Sequence, residues 1–159
     1  MQGCYQTVSV QDTEEDKLMP LWLDKFITTY QSLDADNLEL LAELYHQDII
    51  FRDPMHTITG IDALSAYFEA LYQNIFYCHF RITQVLKNGE QAAVYWQMEY
   101  AHKRLNKGRK ITVEGHSLLM GKEDKVICHR DYLDLGQMVY EHIPVLGRII
   151  LWLKARAGR

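Results

Sequence analysis

Asp53, His116, His129 and Asp131 are the side chains whose types and positions point to chemistry. Each falls where strand alternation predicts an inward face. Ile49, Phe51 and Asp53 share one such face, and Ile127, His129, Asp131 and Leu133 share another. His116 runs with Leu118 and Met120. Charged groups are rarely buried alone, so inward carboxylates require partners or a cavity. In a dry cavity a carboxyl group holds its proton more tightly, and an imidazole exchanges protons near neutral pH. This set therefore suits general acid–base work: Asp53 or Asp131 as acid or base, with His116 and His129 orienting substrate or shuttling protons. Trp96, Met98 and Tyr100 alternate along the central strand as a wall, to which Tyr30, Phe51 and Phe68 add aromatic surface. Structural readings stand beside these. Asp53-Pro54 has the form of a turn start, both histidines could be satisfied core residues, and Asp131 could pair with a buried donor. His56 belongs to the loop after Asp53, solvated or leaning over the cavity mouth. No two of the four central residues form a recognised ligand spacing, so no metal is expected. Neither a phosphate loop, a dinucleotide fingerprint, a nucleophile elbow nor a Cys/His dyad is visible, and no cofactor is expected.

These residues need elements to position them. Leu23, Phe26, Ile27 and Tyr30 follow helical spacing and predict a first helix over about 14–33, its early turns disturbed by Pro20. Asp34 and Asp36 offer capping carboxylates to a second helix over about 36–46, carrying Leu38, Leu41, Ala42 and Tyr45. Ile49-Ile50-Phe51 reads as a short strand stopped by Pro54, and Leu64, Tyr67, Phe68 and Leu71 predict a third helix over about 61–72. From about residue 75 the period becomes two. Turn signals at Lys87-Asn88-Gly89, Asn106-Lys107-Gly108 and Gly121-Lys122-Glu123-Asp124 predict three successive hairpins. Helices followed by a meander make an α+β layer fold, a curved, mostly antiparallel sheet wrapped on helices. The core spans about 14–135 of a single domain over 1–159, after a loose polar arm at 1–12. A C-terminal amphipathic helix over about 137–156 puts Leu146, Ile149, Ile150 and Leu153 on one face and Arg148, Lys154 and Arg156 outside it. Packing on the body or across a dimer is its simpler role, and contact with a membrane surface the sharper one.

Composition sets the outer bounds. The chain has 159 residues, 48% hydrophobic and 24% charged, with a formal net charge of −4. That length buries a substantial core, and the balance argues against disorder. Mild acidity makes nucleic acid a poor expected partner. The KRLNKGRK run at 103–110 reads as a solvated hairpin tip, with an anionic partner as its functional alternative. Cys4, Cys78 and Cys128 have unrelated spacings and read as reduced thiols; with no secretory leader visible, they predict a cytoplasmic protein.

LYHQDIIFRDP (44–54), GIDALSAYF (60–68) and KVICHRDYLD (125–134), in this order, resemble the nuclear transport factor 2-like superfamily in its SnoaL-like and ketosteroid-isomerase-like branch. The resemblance covers roughly residues 20–135. It implies a cone of three helices closing a curved sheet around a deep pocket, and dimerisation through the sheet. In steroid isomerases the aspartate of the Asp-Pro step is the general base, which falls on Asp53. Their oxyanion pair falls on Thr29 and His116 and is not reproduced, although Tyr30 adjoins the first position. In members resembling limonene-epoxide hydrolase the acid of a WRDYFD motif falls on Asp131, while its arginine and second aspartate fall on Met98 and Tyr100. Members resembling scytalone dehydratase combine an aspartate with histidines. The expected ligand is a small, largely apolar molecule with a carbonyl, hydroxyl or epoxide group. The expected chemistry is isomerisation, dehydration, cyclisation or epoxide opening, against a non-catalytic ligand- or partner-binding module of the same fold.

Overall fold

The computed structural model describes residues 19–157. The expected arm at 1–12, residues 14–18 of the expected first helix, and Cys4 lie outside the described residues. Helix α1 (Leu21–Ser32) starts directly after Pro20. At a helix N-terminus the missing proline N–H is no loss, because that donor would have no intrahelical acceptor. Trp22, Leu23, Phe26 and Tyr30 form its buried stripe. The expected second helix is shorter than its apolar pattern. Asp34 and Asn37 build a turn instead of a cap: Asp34 Oδ1 accepts from Asp36 N–H at 2.8 Å, and Asn37 Oδ1 from Asp34 N–H at 2.8 Å. Helix α2 therefore spans only Leu40–Leu44. Tyr45 already begins strand β1 (Tyr45–Arg52), which a short strand β2 (Thr57–Thr59) follows. Helix α3 (Ile61–Gln73) is preceded by Gly60 at φ +88°, backbone that favours glycine, with its N–H donated to Ile49 O at 2.8 Å.

Strands β3 (Ile75–Asn88), β4 (Gln91–His102), β5 (Ile111–Lys122) and β6 (Lys125–Leu133) form the meander. The sheet has six strands in the order β2-β1-β6-β5-β4-β3. Neighbours are antiparallel except β1 and β6, which run parallel and set Phe51 beside His129. Strand β2 and helix α3 separate β1 from β3 along the chain, and β1 pairs with the last strand rather than with β3. Helices and one sheet face enclose a core that includes Phe26, Leu41, Ile49, Leu64, Val94 and Val113.

Three expectations need correction. Strand β5 faces the other way: Val113, Ser117 and Leu119 are buried, whereas His116, Leu118 and Met120 lie on the outer face. Two positions on this strand are glycine because neighbouring indoles fill the space. A Cβ on Gly115 would lie 2.5 Å from the Trp96 ring, and one on Gly121 would lie 2.2 Å from Trp22. The C-terminal segment is not one helix over 137–156. It divides into α4 (Leu135–Met138), a 3-10 turn at Tyr140–His142 and α5 (Leu146–Ala157), with Pro144 in the break. Finally, Cys78 is a free, buried thiol, but Cys128 is disulfide-bonded. That bond removes the cysteine argument for a reducing compartment.

Candidate functional site

A cavity of about 90 Å³ opens between the helices and the inner sheet face. Tyr30, Phe51, Phe68, Trp96 and Met98 form its apolar wall, and Asp53, Tyr67 and Asp131 are its main polar groups. Four of the six described sheet strands and all of α1, α3 and α4 matter here only through these few contacts.

Asp131 projects from β6 into the cavity wall with its side chain 17% exposed. Its Oδ1 accepts from Ser117 Oγ–H at 2.6 Å and from His129 Nε2–H at 2.7 Å. Oδ2 accepts no hydrogen bond from any described residue. Ser117 in turn accepts from Trp96 Nε1–H at 2.9 Å, so the hydroxyl is oriented toward the carboxylate. His129 is fully buried behind Asp131, enclosed by the rings of Phe26, Tyr30, Tyr45 and Phe51. Its Nδ1 lies 2.6 Å from the Tyr45 hydroxyl, which lies 2.6 Å from the Tyr30 hydroxyl. A neutral imidazole that donates Nε2–H to a carboxylate leaves Nδ1 bare, and Tyr45 O–H is the donor within reach. Tyr30 then donates to Tyr45, and the chain runs one way: Tyr30, Tyr45, His129, Asp131. Burial holds both phenols well above the ordinary tyrosine value, so they remain donors across the working pH range.

Asp53 is held differently. Its Oδ1 accepts from the backbone N–H groups of Met55 at 2.7 Å and His56 at 2.6 Å, and Tyr67 O–H donates to Oδ2. His56 Nδ1 lies 3.2 Å from both oxygens. Burial first, and Asp53 second, push the Tyr67 phenol far above its usual value. Asp53 therefore lines the cavity and at the same time ties the turn between β1 and β2 to α3.

Of the residues singled out by sequence, Asp53 and Asp131 both line the cavity, and His129 stands directly behind one of them. His116 does not join them. It stacks on the outer face between Tyr95, at 5.0 Å, and Tyr132, at 4.9 Å. Tyr100 is buried but is not part of the cavity wall: its hydroxyl donates to Met138 O and clamps α4, whose Leu135 and Met138 do line the cavity. Sequence reasoning missed Ser117, Tyr45 and Tyr67 as polar partners. Among the described residues no three His, Cys, Asp or Glu side chains are grouped to hold a metal ion.

The fold is that of several solved structures. A putative SnoaL-like polyketide cyclase from Jannaschia sp. CCS1 is 15% identical, with a TM-score of 0.66 over 79% of this chain and 92% of that one. A protein of ketosteroid-isomerase-like fold from Catenulispora acidiphila, in complex with trimethylamine, is 18% identical, with a TM-score of 0.66 over 79% and 93%. An LEH-like epoxide hydrolase of M. tuberculosis is 10% identical, with a TM-score of 0.63 over 74% and 86%. No curated protein matches the sequence. The family model of the SnoaL-like domain matches residues 26–129, from the first buried phenylalanine of α1 to the buried histidine of β6. With that match over most of its length, and with the curved sheet and cavity just described, the chain belongs to the SnoaL-like domain family.

Proposed function

We propose that this SnoaL-like chain acts as a single-domain, cofactor-free enzyme whose Asp131 moves a proton on a small, mostly apolar molecule bearing a carbonyl, hydroxyl or epoxide group. The observation that carries the reading is the asymmetry of Asp131. One oxygen is fixed by Ser117 and His129, and the other has no partner among the described residues, in a cavity whose wall is mostly apolar. Such a carboxylate is positioned rather than neutralised, which general acid–base chemistry requires. His129 and the two phenols behind it can redistribute charge as Asp131 gains or loses a proton. Tyr30 lines the same cavity and faces substrate from the other end of the chain. Asp53, with donors on both oxygens, serves as an anchor for the cavity mouth instead of the base. The likeness in fold to a cyclase and an epoxide hydrolase supports a pocket enzyme, and the chemistry rests on this chain's own residues.

The cavity size narrows the substrate. About 90 Å³ is less than the ~150 Å³ of an engineered cavity that admits benzene, so a bulky polycyclic substrate would have to displace Met55 or Met138 at the wall. The same small volume favours a second reading, a binding module for a compact ligand.

The test is a panel of small enones and terminal epoxides, followed by NMR for exchange of α-protons in D₂O and for diol formation. Turnover by the wild type that falls by ~10² or more in Asp131→Asn, with binding retained, supports the enzyme. Saturable binding without turnover in either protein assigns the binding module.

A further inference from the structure

Helix α5 is held to the body at Gly147 and Lys154 and leaves the rest of its surface, apolar and basic side chains alike, to solvent. Lys154 bridges Asp134 at 2.7 Å and Glu141 at 2.6 Å, and Gly147 lies so close to Glu141 that a Cβ would sit 2.2 Å from its carbonyl oxygen. These contacts fix which face points out. Ile149, Trp152 and Leu153 are 50%, 55% and 49% exposed, although a surface helix ordinarily turns such residues to the core. Val145 and Leu151 extend that apolar surface to a groove shared with the tip of the β4–β5 hairpin.

The groove carries the opposite character to the chain as a whole. Lys103, Arg104, Lys107 and Arg109 line it from the hairpin and Arg148 from α5, with Glu141 as its one carboxylate, already paired with Lys154. Arg156 adds a further cation 4.9 Å above the Trp152 ring. On a chain of net charge −4, this edge is a concentrated positive patch beside exposed leucine, isoleucine and tryptophan.

The geometry points to an anionic lipid surface as the partner of this edge, with α5 lying in the headgroup layer and the 103–110 hairpin tip bound to lipid phosphates. An amphipathic helix alone binds a bilayer weakly and reversibly, and a polybasic segment beside it supplies the second signal that stable attachment needs. The fold brings those two segments, about forty residues apart in sequence, to one groove. A protein partner covering only the apolar face would leave the cations unmatched, whereas a bilayer with acidic headgroups meets both. No described helix is long and apolar enough to cross a membrane, so the contact is peripheral. None of these residues lines the cavity, so the inference stands apart from the chemistry of Asp131.

Flotation of the full chain with vesicles tests it, using pure phosphatidylcholine against an equimolar mixture with phosphatidylglycerol. The expected result is binding to the mixed vesicles alone, weakened about tenfold or more by Trp152→Glu with Leu153→Glu, by Lys107→Glu with Arg109→Glu, and by high salt. All four positions are exposed, so both double variants should keep the wild-type melting temperature. Trp22 and Trp96 are buried, so a blue shift of tryptophan fluorescence on vesicle addition, lost in Trp152→Phe, reports α5 entering the interface. No flotation with the mixed vesicles, or flotation that ignores both double variants, overturns the inference. A dimer that Trp152→Glu dissociates, without lipid binding, overturns it and assigns the face to a second copy.

Discussion

At the scale of the residue, Asp131 and Asp53 are two carboxylates on one cavity that answer substitution in opposite ways. Replacing Asp131 by Asn keeps an amide oxygen to accept from Ser117 and His129 and turns the amide nitrogen to the position of the unpartnered oxygen. The fold should survive with a melting temperature close to wild type, while turnover falls by ~10² or more. Collapse of the melt would instead show that the fold depends on the carboxylate itself, and that outcome removes Asp131 as the catalytic group. Asp53→Ala should behave as a fold mutation. It strips two backbone N–H groups and the Tyr67 hydroxyl of their acceptor, a loss of about 2 kcal/mol or more. Denaturant titration of the two variants should therefore rank Asp53→Ala as clearly the less stable, and the reverse order contradicts both assignments. His129 and Asp131 were legible in the sequence because they alternate with neighbours along one strand, and Asp53 because it directly follows the alternating strand β1. Ser117, Tyr45 and Tyr67 were not. A serine among small residues carries no pattern of its own, and the two tyrosines fit helical stripes as well as any core residue.

At the scale of the element, legibility tracked how one-sided each segment is. The period change near residue 75, helix α3 and the hairpin turns were readable because one face is apolar and the other polar. Strand β5 was not, since Leu118, Leu119 and Met120 are consecutive and alternation then has no preferred phase. What sets its phase is non-local: the Trp96 and Trp22 rings demand Gly115 and Gly121 beneath them. A register argument that had weighed small residues as well as apolar ones would have turned His116 outward and Ser117 inward. Helix α2 was overextended for a related reason, because the apolar spacing continues through Tyr45 into a strand that is buried on the same side. Helix α4 shows how a short element can gate the site. It is four residues long and held over the cavity by the Tyr100 hydroxyl on Met138 O, while Leu135 and Met138 complete the wall. Tyr100→Phe removes that tether without changing side-chain shape. The expected result is faster amide exchange over Leu135–Val139, with little change in melting temperature and weaker retention of cavity ligands. Unchanged exchange over those residues would show that the tether does not hold α4.

At the scale of the whole molecule, two properties follow from what the sheet buries and what it leaves exposed. The inner face buries neutral groups that become charged in alkali. Burial pushes the Cys78 thiol from 9.0 up to about 12, and the Tyr100 phenol from 10.0 up to about 12. A raised folded-state value means that the folded chain keeps a proton that the unfolded chain releases. Stability from these groups is thus full below about pH 9 and is lost as pH rises toward about 12. Melting temperature should decline across that window, and Cys78→Ala should flatten the decline; an equal slope in the variant contradicts the assignment to Cys78. The outer face presents the opposite problem. Tyr95 and Tyr132 are 36% and 37% exposed with His116 stacked between them, and Leu118 lies on the same face. Leu119, between Leu118 and Met120, points the other way into the core. Around this cluster the face is polar: Arg81 donates to Gln97 at 3.0 Å, and Gln97 to Glu114 at 3.2 Å. An aromatic centre within a polar rim is the make-up of a specific interface, and a sheet face can pack on its own two-fold copy. The assembly this make-up predicts is a homodimer through this face, with the three stacked rings near its axis. Light scattering at micromolar concentration should return twice the chain mass, and Tyr132→Glu, which sets a carboxylate against its symmetry mate, should return the monomer with the cavity intact. A monomer mass for the wild type would leave the aromatic cluster without its partner and reject the dimer.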